Sequence, residues 1–111
     1  MDTPIDAREI IKRILREYAA LKPSYGDIES EVVFDDEQGH YELIRYGWDG
    51  QRRVHGCLLH VDIKGDKIWI QYDGTEEGIA PELVEAGIPR DRIVLGFRHP
   101  DLRTLTDFAV A

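Results

Sequence analysis

The sequence predicts an α+β fold, an N-terminal amphipathic helix packed on an antiparallel β-meander of about four strands, followed by a short helix, a short strand and a C-terminal segment. Three observations predict it. Apolar residues recur at helical spacing near the N-terminus, four runs rich in β-branched and aromatic residues follow with short polar connections, and a Pro/Gly-bracketed helical stretch comes after them. The chain has 111 residues and neither repeats nor linkers, so residues 1–111 read as one domain. A chain of this length can bury roughly two thirds of its unfolded surface, enough for one core.

The first element is "DAREIIKRILREYAALKP", which puts Ile10, Ile11, Ile14, Leu15, Tyr18 and Leu21 on one side. It predicts a helix of about five turns stopped by Pro23. Arg8, Lys12 and Arg16 share another face, with Arg13 beside them and Glu9 spaced to pair with Arg13. After the turn-rich "SYGDIES", the segments "EVVF", "HYELIRYGW", "VHGCLLHVDI" and "KIWIQYD" read as the strands.

Turn chemistry suggests the register. A two-residue Gly65-Asp66 loop pairs Ile63 with Ile68, Val61 with Ile70 and Leu59 with Tyr72, and sets Asp62 against Trp69 and His60 against Gln71. A three-residue Asp49-Gly50-Gln51 loop sets Cys57 against Leu43, Leu59 against Tyr41 and His40 against His60. One face then carries Tyr41, Leu43, Cys57, Leu59, Val61, Ile63, Ile68, Ile70 and Tyr72, a seat for the helix. The other mixes Ile44, Tyr46, Trp48, Val54, Leu58 and Trp69 with His40, Glu42, His60, Asp62 and Gln71. That second face is too apolar for water and too polar for a core, so it needs a cover.

In the last third, Pro81 is tolerated only in a first helical turn, which predicts a helix from about Ile79 or Ala80 to Gly87. The carboxylates Asp73, Glu76 and Glu77 therefore precede it. Asp73 is placed to bond amides of the following turn, a structural duty. "RIVLGF" gives a short strand, and the chain closes on Phe108, Ala109 and Val110.

Composition limits function. With 22 acidic and 14 basic side chains the net charge is −8, which opposes the phosphate neutralisation that most DNA binding needs. Arg8, Lys12, Arg13 and Arg16 are the alternative DNA-contacting face. The single Cys57 excludes an internal disulfide and fits a reducing, cytoplasmic setting, and the first residues do not read as a secretory leader. No apolar run approaches the roughly 18 residues of a membrane span.

No Walker loop or dinucleotide fingerprint is present, so no cofactor is expected. No catalytic residue set and no metal site is assigned. His40, His60 and Asp62 would suit zinc or another transition metal if they converged, the basis of a metal-dependent hydrolase or nuclease alternative. Cys57, expected in the core, reads as a small apolar group. The residues expected to bind a partner are Tyr46, Trp48, Leu58, His60, Trp69 and Gln71, because aromatic anchors rimmed by polar groups make protein interfaces. The terminal "DFAVA" folding back over the patch is the competing arrangement.

The phrases "YELIRYGW", the Arg and His of "RRVHGCLLHVDI", "KIWIQYDGTEEGIAPELVEAGIP", "DRIVLGF" and "RTLTDFAVA" resemble, in this order, the XisI-like family. These are fdxN element excision controlling factor proteins known mainly from cyanobacteria. The resemblance implies control of DNA-element excision by site-specific recombination, alongside a recombinase and a companion factor, XisH. It implies no reaction and no catalytic residues. With the charge and the second sheet face, it gives the expectation of a non-enzymatic regulator that binds proteins and forms a homodimer.

Overall fold

The computed structural model describes residues 6 to 111. The leader reading falls partly on residues 1 to 5, which lie outside them. Helix α1 spans Ala7–Ala19 and begins where Asp6 Oδ1 accepts from the amides of Arg8 (3.1 Å) and Glu9 (3.4 Å). Such a cap satisfies donors that the first helical turn leaves unpaired. At 13 residues the helix is shorter than the expected five turns, and Leu21 lies beyond it, 60% exposed.

Strands β1 (Asp27–Asp35), β2 (His40–Asp49), β3 (Arg52–Lys64) and β4 (Lys67–Asp73) form the antiparallel meander. A fifth strand, β5 (Ile93–Leu95), joins β4 in parallel and gives the order β1-β2-β3-β4-β5. A parallel neighbour needs a crossover, which α2 (Ala80–Glu85) and the turn after it supply. The last element is α3 (Pro100–Arg103).

Helix α1 seats on the expected face. Ile11, Ile14 and Leu15 form one buried cluster with Tyr41, Leu43, Leu59, Val61, Ile68 and Ile70, completed by Ile79, Leu83, Ile88 and Ile93. The register differs from the sequence reading in two places. Asp49 pairs with Arg52, so the β2/β3 loop is Gly50-Gln51, with Gly50 at φ 62. Leu43 then meets Leu59 and Tyr41 meets Val61, with Leu58 an extra residue where the register shifts. Between β3 and β4, Val61 meets Ile70 as expected, but His60 meets Tyr72 and Leu59 meets Asp73, leaving Gln71 extra.

These bulges correct four placements, because one inserted residue reverses which face its successors occupy. Cys57 stands opposite Ile44 and is exposed, not in the core. Tyr72 is 51% exposed. Leu58 packs against the buried cluster, and Val54, paired with Gly47, changes face.

The acidic loop does what its position predicts. Asp73 accepts from Thr75 N (2.9 Å), Thr75 Oγ1 (2.6 Å) and Ile79 N (2.7 Å), tying the end of β4 to the start of α2. Asp73→Ala leaves the Ile79 amide unpaired beside a buried side chain and should lower stability by about 1–3 kcal/mol in urea unfolding. Glu76 and Glu77 are exposed, and changing both to Gln should move stability by less than about 1 kcal/mol per residue.

Candidate functional site

The second sheet face divides into two parts. At the β4/β5 end, the chain covers itself. Ala109 bridges to Val94 and donates its amide to Ile93 O (2.8 Å), while Lys67 Nζ holds Ala111 O (2.9 Å). Arg103 donates to the carbonyls of Leu95, Gly96, Arg98 and Val110, and its guanidinium lies 5.2 Å from the Trp69 ring centre. Lys64 Nζ stacks on the same ring at 5.0 Å. Trp69 is thus packed within the chain, and the tail covers this end only.

Over β1 to β3 the face stays open. Val33 and Trp48 are 48% and 51% exposed, with Ile44 and Tyr46 half-buried between them, and Tyr72 of β4, opposite His60, is 51% exposed. Arg53 stacks on Trp48 at 5.2 Å. Of the expected partner-binding residues, Trp48 and Tyr46 lie on this open part, and Leu58 and Trp69 are engaged elsewhere. His60 and Gln71 belong to a polar cluster between the two ends.

That cluster is centred on Asp62, 5% exposed. Its Oδ1 accepts from His40 Nδ1 (2.7 Å) and His60 Nε2 (2.9 Å), and its Oδ2 from Gln71 Nε2 (3.1 Å). His40 faces Asp62 and Glu42 faces His60 across β2/β3, not His40 facing His60 as the loop choice implied. The two-residue error preserved the faces, so the three side chains still converge. Burial alone would raise the Asp62 carboxyl, but the bonds from His40, Gln71 and His60 outweigh it and hold it below the usual range. The same bond raises the pKa of His40. Among the described residues this is the one group of three with donor atoms arranged to hold a metal ion.

Cys57 Sγ rests against Leu59 O (2.9 Å), and loss of water together with the nearby Glu42 pushes its pKa above the ordinary thiol value. That setting disfavours a thiolate nucleophile. Two members of the basic face of α1, Lys12 and Arg16, are engaged within the fold. Lys12 pairs with Asp36 (2.7 Å), Arg16 lies over Phe34 (5.1 Å), and Arg13 approaches Glu17 (3.8 Å) rather than Glu9. No helix among the described residues is long and apolar enough to cross a membrane.

Comparison with known proteins places this geometry in a family. The XisI protein family model matches residues 1–110. The chain belongs to the XisI family. A XisI-like protein from Anabaena variabilis, solved at 1.30 Å resolution, is 41% identical with a TM-score of 0.86, over 94% of this chain and 95% of that one. The fdxN element excision controlling factor XisI from Anabaena variabilis is 38% identical with a TM-score of 0.80, over the same shares. No curated protein matches the chain. Membership in the XisI family agrees with the signature phrases in the sequence, and the α+β architecture is common to these neighbours.

Proposed function

We propose that this chain is a cytoplasmic, one-domain regulator of DNA-element excision that acts by binding other proteins and not by catalysis. Its kinship with a protein named as an excision controlling factor supports the process. The observation that carries the mode of action is the open aromatic strip over β1 to β3. Trp48 stands half exposed there, beside Tyr46 and Ile44 and rimmed by Arg53, Glu29 and Glu31. Aromatic and Arg anchors inside a polar rim are what protein interfaces are made of. The partners are a companion excision factor of the XisH kind, with the recombinase as a further member of the assembly. Homodimerisation uses the same strip.

Direct DNA contact is not part of this reading, since the net charge is −8 and Lys12 and Arg16 are already committed to Asp36 and Phe34. Duplex binding in a mobility-shift assay near physiological salt should be absent at nanomolar protein. Nanomolar binding that disappears on changing Arg8, Lys12 and Arg16 to Glu would reverse this.

The functional test is affinity capture of the native protein with identification of the co-purifying chains, repeated with Trp48→Ala. A companion factor retained by the native protein and lost from the variant is the expected result. Retention of the same chains by both would remove the strip from the account.

A further inference from the structure

We propose that His40, His60 and Asp62 form a binding site for a divalent first-row transition metal ion of the zinc type. Two imidazoles and one carboxylate are a donor set suited to such ions. Their ligand atoms lie within 4.8 Å of one another, drawn from facing positions of β2 and β3 in the central part of the sheet. Metal-ligand bonds of about 2.0–2.2 Å place tetrahedral donor atoms roughly 3.3 Å apart. The present N to O separations of 2.7 and 2.9 Å need to open by only about half an ångström to admit an ion.

Satisfying a buried carboxylate does not require this arrangement. One imidazole on Oδ1 and Gln71 on Oδ2 already give each Asp62 oxygen a donor. The second imidazole bonds the same oxygen, so both ring nitrogens already converge on one carboxylate atom. The surrounding groups fit a metal site as well. Gln71 fixes the carboxylate from behind, and Glu42 Oε1 stands 3.7 Å from His60 Nδ1, leaving His60 Nε2 to face the ion. At that distance Glu42 makes no hydrogen bond to His60, but its charge favours a cation held at Nε2.

Access and charge agree. His40 and His60 open onto a cleft of about 390 Å³ lined also by Val33, Asp35 and Glu42. These linings include two carboxylates and neither Lys nor Arg, so the local potential attracts a cation. Both imidazoles border this cleft, which gives an ion a route to them from solvent. The inference stands on this geometry and does not depend on the protein-binding reading.

The test is calorimetric titration of chelator-treated full-length protein with Zn²⁺ in a non-coordinating buffer, for the native chain, His40→Ala, His60→Ala and the double variant. One ion per chain is expected, weakened at least tenfold by either substitution. His40 is half exposed at its side chain, so His40→Ala should keep the native circular dichroism and thereby separate lost ligation from lost folding. Co²⁺ should give a visible absorption band in the native protein that is missing from His40→Ala. No saturable Zn²⁺ binding by the native chain, or unchanged binding by the double variant, would overturn the site.

Discussion

Leu59→Ala should lower the unfolding free energy by about 2–5 kcal/mol, the range for emptying a fully buried leucine site. Leu59 is 0% exposed and lies between the two register shifts of β3, paired with Leu43 on one side and Asp73 on the other. The sheet around it has little freedom to collapse into the void. The leucine secures the β2/β3 pairing, the β3/β4 pairing and the seat of α1 together. A urea titration of both proteins measures the difference. A loss well under about 1 kcal/mol would place Leu59 outside the core and remove the basis for the helix-on-sheet packing.

Gly47→Ala should destabilise the sheet by a comparable amount, for a different reason. Gly47 sits in β2 between Ile28 of β1 and Val54 of β3, at φ 151, where an L side chain is strained. That strain alone is worth about 1–3 kcal/mol. A Cβ at this position would collide with Asp27 O and lie 3.0 Å from Ile28 Cα, so the backbone of β1 has to move. Denaturant unfolding should show the loss, and amide exchange should accelerate in the first half of β1. An alanine variant as stable as the native protein, with unaltered exchange, would contradict the geometry at this crossing.

Much of this architecture was legible in the chain because burial imposes a period. The alternation in "KIWIQYD" and "HYELIRYGW" marked β4 and β2 to within a residue, and Pro81 fixed where α2 begins. The β4/β3 hairpin was readable as far as Val61, since Gly65-Asp66 admits one sensible loop. What escaped was the pair of extra residues, Leu58 and Gln71. A bulge changes no residue's own hydrophobicity, so Leu58 looks like any apolar strand residue, yet it moves Cys57 from the core to an exposed face. Tyr72 escaped in the same way. Asp62 shows the opposite case. A slip of two residues leaves each side chain on its original face, so His40, His60 and Asp62 were correctly placed together from an incorrect pairing. The self-covering of Trp69 depends on Arg103, which is 34 positions away along the chain and carries no local signal.

The second face has a covered end at Trp69 and an open end at Trp48, so the proposed function predicts different effects of changing each, and one comparison tests it. Trp48→Ala and Trp69→Ala should be measured side by side, each for unfolding free energy and for the dissociation constant of its complex with the companion factor or with itself. Trp48→Ala should weaken the complex by about 2 kcal/mol or more, roughly 30-fold, while leaving stability nearly unchanged. Trp69→Ala should loosen the C-terminal segment and lower stability while the intact complex retains its affinity. Equal affinities for Trp48→Ala and the native protein, or a strictly monomeric chain with no complex to measure, would contradict an open face that exists to bind.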